Sequence, residues 1–126
     1  MFVDPDGPIE KFEWGSYQIN GQVHSADGEG VGKDILMIDG KVLSWDERKG
    51  HRIKPFMVER ALQPRVRTLV IGNGAKGRLR LTRKTRQAVE DAGVALVIEK
   101  TPKACAVYNR LSREGKAVAL LAHGTC

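Results

Sequence analysis

Three groupings of residues in this 126-residue chain have the types and spacing that chemistry requires. The first is Gly72-Asn73-Gly74-Ala75-Lys76-Gly77, which follows an apolar run and matches GxGxxG letter for letter. Glycines after a strand let backbone N–H groups approach an anion, so a phosphate or carboxylate is the ligand class for such a turn. A dinucleotide is disfavoured, because Arg78-Leu79-Arg80-Leu81 alternates and delays the next helix to about Arg83, whereas a pyrophosphate needs the helix N-terminus against it. Glu99 lies about where a ribose-binding acid would, a signal of low specificity because acidic residues are frequent.

The second grouping is His123 with Cys126, residue types that serve as a thiolate–imidazole pair or as metal ligands. No third partner is visible in the sequence, and a structural role at the chain end is the favoured reading. The third is a basic series. Lys76, Arg78 and Arg80 lead into a helix that carries Arg83, Lys84 and Arg86 in its first turn and Glu90 with Asp91 in its last. This is the reverse of what the helix dipole favours, each exposed charge costing roughly 0.3 to 1 kcal/mol. Local rules tend to be broken at functional sites, so the series points to an acidic ligand or protein surface, or to acidic neighbours within the fold. Gly32-Lys33 imitates the end of a P-loop, but Asp27 and Asp34 stand where a glycine and a Ser or Thr are required. Asp27 and Glu29 also lack the ligand spacing of an EF-hand.

The elements that must position these residues fall into two regions. Over residues 12–62 the pattern is antiparallel hairpins: Ser16 to Ile19 and Gln22 to His24 flank Asn20-Gly21, and Ile35 to Ile38 and Lys41 to Trp45 flank Asp39-Gly40. Both pairs suit the positive φ positions of a type I′ turn. Ser25 to Lys33 between them is expected to be a mobile surface loop. A short helix that buries little is expected from Pro55, ending before Pro64. Over residues 66–126 the pattern becomes βαβαβ: strand Val66 to Ile71, helix Arg83 to Ala92, strand Val94 to Ile98, helix Pro102 to Glu114, strand Ala117 to Leu121.

Leu81, Thr85, Ala88, Val89 and Ala92 share one helix face, as do Ala104, Val107, Tyr108 and Leu111 on the next. Thr82 and Thr101 are the expected N-caps, and Gly93 and Gly115 the left-handed stops. Cys105 and Tyr108 read as packing residues. Parallel strands place their carboxyl ends along one edge, where open α/β sheets bind ligands. The glycine turn, Thr101-Pro102-Lys103 and His123 to Cys126 should therefore meet there. The ligand-binding candidates are Gly72, Asn73, Gly74, Lys76, Gly77, Arg78, Thr101 and His123. The partner-binding candidates are Arg80, Arg83 and Arg86.

Composition bounds the function. At 126 residues and 41% hydrophobic, the chain is expected to form one domain, 1–126. Lys+Arg 21 against Asp+Glu 15 gives a net charge of +6 and a pI of about 9.6, which favours anionic partners. Nucleic acid is not expected, because aromatics are only 6% and no helix-turn-helix, zinc-finger or RNP pattern occurs. The two cysteines lack metal spacing, so no metal and no cofactor is expected. Membrane insertion is excluded by the absence of an apolar run near 18 residues. The acidic, Pro-broken start at Met1 to Asp6 is unlike a signal peptide, and a cytoplasmic protein is expected.

Ordered landmarks run along nearly the whole chain: Trp14-Gly15, Ile19-Asn20-Gly21, Asp34-Ile35, Ser44-Trp45, Thr68 to Gly74, Thr85, Thr101-Pro102, Val107-Tyr108-Asn109 and the terminal His123-Gly124-Thr125-Cys126. In this order they resemble the Mth nine-three-eight domain family, small bacterial, archaeal and mitochondrial proteins mostly of unknown function. The resemblance implies an α/β fold of three layers, in which N-terminal antiparallel β-hairpins and the βαβαβ unit form a mixed central sheet. It also implies no established catalytic activity. Among animal relatives, one is a respiratory complex I assembly factor and another is linked to adipogenesis. The resulting expectation is a binding or assembly module that engages an acidic protein partner at the glycine-turn edge. The alternative is an enzyme or carrier for a small anionic ligand there. An exposed sheet edge leaves room for a homodimer.

Overall fold

Turn chemistry carries directly into the structure, a computed structural model that describes residues 1–126. Asn20 and Gly21 adopt φ of 50° and 79°, and Asp39 and Gly40 adopt 55° and 71°, the two consecutive positive values that a type I′ hairpin needs. The strands they join are β3 (Ser16–Ile19) with β4 (Gln22–Ser25) and β5 (Asp34–Ile38) with β6 (Lys41–Ser44). Residues before the expected hairpin region also pair. β1 (Phe2–Val3) and β2 (Ile9–Glu13) extend the first hairpin into a separate antiparallel sheet of order β1-β2-β3-β4.

Downstream, β7 (Arg52–Ile53) precedes two 3-10 turns at Pro55–Met57 and Glu59–Ala61, then β8 (Thr68–Gly72), β9 (Arg80–Leu81) and α1 (Arg83–Asp91). The chain closes with β10 (Ala95–Glu99), α2 (Thr101–Arg113) and β11 (Val118–His123). The central sheet has the order β10-β8-β11-β5-β6, with β10, β8 and β11 mutually parallel and β5 antiparallel to β11. It is mixed, as the family resemblance implies.

Side chains alternate across this sheet and feed two cores, since successive Cβ atoms point to opposite faces. Leu36, Ile38, Leu69, Ile71, Ala119 and Leu121 pack against the 3-10 turns and α1. Ile35, Met37, Val70, Leu120 and Ala122 face the other way, against Ala104, Cys105 and Tyr108 of α2 and Phe12, Tyr17 and Ile19 of the small sheet. Three layers result. Each fully buried Leu or Ile in them is worth about 2 kcal/mol of transfer free energy.

Several local expectations change. The helix expected from Pro55 is two 3-10 turns, and it buries more than expected: Met57, Val58 and Ala61 are core residues, and Trp45 Nε1 donates to the Met57 carbonyl at 2.7 Å. The alternation of Arg78 to Leu81 has a cause, because β9 pairs in parallel with β7 and Leu79 just before it is buried in the core. Thr82 caps α1 as expected, its hydroxyl accepting from the Thr85 amide, while Ala92 at the other end is exposed. Thr101 is not the N-cap of α2. Lys100 holds that position and Thr101 is the first helical residue, which frees its hydroxyl for a bond outside the helix. The loop from Ser25 to Lys33 is fastened at several points, including the Ser25 amide on the Glu29 carbonyl at 3.0 Å and the Val31 amide on His24 Nδ1 at 3.0 Å.

Candidate functional site

The carboxyl ends of β8, β10 and β11 meet at one edge, and the three segments expected there are bonded to one another. Thr101 Oγ1 accepts from the Gly74 amide at 3.1 Å and donates to the His123 carbonyl at 2.7 Å. The Ala75 amide donates to the Thr125 carbonyl and the Arg78 amide to the Cys126 carbonyl, both at 3.1 Å. Asn73 shapes the turn from within: its own amide bonds the Glu99 carbonyl and its side-chain amide reaches the Leu79 carbonyl.

This junction is tight. A Cβ on Gly74 would lie 2.6 Å from the Cys126 carbonyl carbon, and one on Gly72 would lie 2.9 Å from Thr101 Oγ1. The glycines therefore admit neighbouring backbone of the same chain, and the amides of Asn73, Gly74, Ala75, Gly77 and Arg78 all donate to acceptors inside the protein. Of the expected ligand-binding residues, Gly72, Gly74 and His123 are buried, Thr101 is inaccessible, and Asn73 and Gly77 are half-buried. Lys76 and Arg78 project outward.

The outward side has its own geometry. Trp14, in the turn between β2 and β3, is 56% exposed, and the Lys76 ammonium sits 5.5 Å from its ring centroid, within cation–π range. The Gly15 amide anchors this turn to the Gly124 carbonyl at 2.7 Å. Arg80, Arg83 and Arg86 are exposed, Arg80 donating to the Gly77 carbonyl at 2.7 Å. None of Lys76, Arg78, Arg80, Arg83, Lys84 or Arg86 takes part in an ion pair. Direct ion pairing within the fold therefore does not account for the reversed helix charges.

Behind this edge lies an array that the sequence did not reveal. β11 pairs with β5 so that His123 stands opposite Asp34, and His123 Nδ1 is 2.5 Å from Asp34 Oδ1. His123 Nε2 is 3.2 Å from Thr125 Oγ1. The other carboxylate oxygen of Asp34 accepts from Arg48 Nε at 3.0 Å and Lys33 Nζ at 3.1 Å. Burial alone would raise the Asp34 pKa, but the His123 hydrogen bond and charge, with Arg48 and Lys33, hold it below the ordinary carboxylate value. The ring nitrogen thus faces Thr125 and forms no hydrogen bond with Cys126. Asp34 and Thr125 carried only a landmark signal in the sequence, since nothing local says that β11 inserts beside β5.

Two cysteines remain. Burial pushes the Cys105 thiol well above its ordinary pKa, consistent with a packing role. Cys126 is half-buried and free. No three His, Cys, Asp or Glu side chains converge as metal ligands, and no helix is long and apolar enough to cross a membrane.

Comparison with known proteins places this architecture. The chain is 30% identical over 99 residues to NADH dehydrogenase [ubiquinone] 1 alpha subcomplex assembly factor 3 of Rattus norvegicus, an alignment covering 77% of this chain and 53% of that protein. The chain thus spans about half the length of such curated relatives. A conserved hypothetical protein of Pyrococcus horikoshii superimposes with a TM-score of 0.75 at 22% identity, covering 94% of this chain and 98% of the other. A Bordetella pertussis protein described as an Mth nine-three-eight-like domain does so with a TM-score of 0.69 at 18% identity, covering 98% and 91%. Residues 9–123 match the family model described as protein of unknown function (DUF498/DUF598), and with that match spanning the central sheet and both α-helices the chain belongs to this family.

Proposed function

We propose that this protein is a cytoplasmic binding or assembly module, which holds an acidic protein surface against the edge formed by the glycine turn and the start of α1. The observation that carries this reading is the exposed Trp14 ring with Lys76 over it, beside cations that have no carboxylate partner in the chain. An aromatic anchor rimmed by unpaired positive charge suits an acidic protein surface. The assembly-factor relatives support a protein partner. A small anionic ligand in the turn itself is less favoured, because most of the turn's amides are already committed to acceptors within the chain.

A photo-crosslinking residue at position 14, with a control at exposed Lys116 near the other end of the sheet, tests the reading in living cells. Expected is a discrete protein adduct from position 14, weakened at least tenfold by Lys76→Glu/Arg78→Glu. Adducts that are equal from both positions, or that persist unchanged in the charge-reversed variant, would count against it. A parallel thermal-shift screen against phosphates and small carboxylates addresses the ligand alternative, which requires a shift abolished by Lys76→Ala/Arg78→Ala.

A further inference from the structure

Asp34, His123 and Thr125 are joined in series, carboxylate to imidazole to hydroxyl, at 2.5 and 3.2 Å. The pKa of Asp34 is held below the ordinary carboxylate value, so its Oδ1 accepts from His123 Nδ1, and this bond turns Nε2 of the ring toward the Thr125 hydroxyl. That is the order of parts by which an imidazole oriented by a carboxylate activates an alcohol. Arg48 and Lys33 occupy Oδ2, which leaves Oδ1 for the ring and makes them positioning residues.

The surroundings suit a reacting group. A polar cleft of about 360 Å³ opens beside Asp34, lined by Ser25, Lys33, Ser44 and Arg48. Ser25 is 5% exposed, and its buried hydroxyl has no hydrogen-bond partner in the protein. Thr125 does not line this cleft but lies next to Ala26, which does. The preceding Gly124 is packed so closely on Lys33 that a Cβ would meet the Lys33 carbonyl oxygen at 2.7 Å, and the Thr125 methyl and Ala26 flank the same side of Gly15.

We infer that Thr125 is a nucleophile, activated by His123 and Asp34, for acyl transfer from a short polar ester that enters this cleft. Thr125 Oγ bonds to the acyl carbon while its proton passes to His123 Nε2. The ester C–O bond then breaks, and the leaving alkoxide takes that proton from Nε2. Water, deprotonated by the same nitrogen, releases the acid and restores the hydroxyl. This activity is independent of the protein-binding edge, which Trp14 and Lys76 present outside the junction.

Diisopropyl fluorophosphate tests the nucleophile directly, because attack by an activated hydroxyl forms an O–P bond, expels fluoride and leaves an adduct readable by intact mass and peptide mapping. The expected result is one adduct at Thr125, absent in Thr125→Val, retained in Thr125→Ser, and formed on the order of 100-fold more slowly in His123→Gln. p-Nitrophenyl acetate should give an acetyl adduct at the same residue. Circular dichroism identifies variants that keep the fold, and Thr125→Ser with the unmodified protein decides the matter if Thr125→Val does not. No adduct on the folded protein, an adduct at another residue, or labelling indifferent to His123→Gln overturns the inference, because a purely structural array would label in none of these ways.

Discussion

His123 and Asp34 are 89 residues apart in sequence and directly opposed across β11 and β5, with Nδ1 2.5 Å from Oδ1. One ion-paired carboxylate thereby ties the end of the parallel unit to the antiparallel hairpin. Asp34→Ala strands Arg48, Lys33 and the buried ring together and should cost about 3 kcal/mol in urea unfolding. The pH dependence has a definite sign. Because the folded pKa is lowered from 3.8, the contribution is fully present above that value and is lost as pH falls through the folded pKa. Acid titration of the wild type against Asp34→Asn should show the difference closing only in strongly acidic solution.

Gly74 faces backbone atoms that cannot move aside without releasing the C-terminal segment. Its φ is 110°, and an added Cβ would lie within 2.9 Å of carbonyl atoms of Thr125 and Cys126. Gly74→Ala should therefore cost at least about 3 kcal/mol, combining left-handed strain with overpacking. Gly115→Ala is the control, since a Cβ there meets nothing within 4 Å and only the left-handed backbone penalty of roughly 1–2 kcal/mol applies. Thermal melts of the two variants should separate clearly.

Asn109 brackets one residue of the small sheet from α2: its side chain accepts from the Ile9 amide at 2.9 Å and donates to the Ile9 carbonyl at 2.8 Å. Asn109→Ala leaves both buried groups without partners and should destabilise by about 3 kcal/mol. Hydrogen exchange should accelerate first at the Ile9 amide, showing that β2 has loosened from the helix.

His24 links pH to the glycine-rich loop. Burial lowers its pKa from 6.5, and its Nδ1 accepts from the Val31 amide, so the folded protein holds it neutral. The unfolded chain binds a proton there that the folded chain does not. Stability from this group is therefore complete above pH 6.5 and declines below it, by at most about 1.4 kcal/mol per pH unit. His24→Gln should flatten the slope of unfolding free energy between pH 7.5 and 5.5 relative to wild type.

Arg83 and Arg86 lie on the exposed first turn of α1 with no acidic residue beside them there. Arg83→Glu/Arg86→Glu should raise stability by about 1 kcal/mol through the helix dipole while weakening capture of an acidic partner. A higher melting temperature with crosslinking from position 14 unchanged would separate the charge arrangement from binding.

The sequence determined those features whose physics is local. Asn20-Gly21 and Asp39-Gly40 specify their hairpins because consecutive positive φ values suit those residues, and Thr82 and Gly93 punctuate α1 by satisfying its ends. The meeting of the glycine turn, Thr101 and His123 was also legible, since strands joined by crossover helices share a carboxyl edge. Tertiary structure decided how tightly they meet and who lies behind them. Whether Gly74 cradles a ligand or the chain's own carbonyls depends on the path taken after β11, to which the GxGxxG pattern is blind. The partnership of His123 with Asp34 and Thr125 likewise depends on β11 inserting between β8 and β5 in one register. That register follows from burying alternate side chains in two cores at once, a non-local condition that residues 89 positions apart cannot announce in either segment alone.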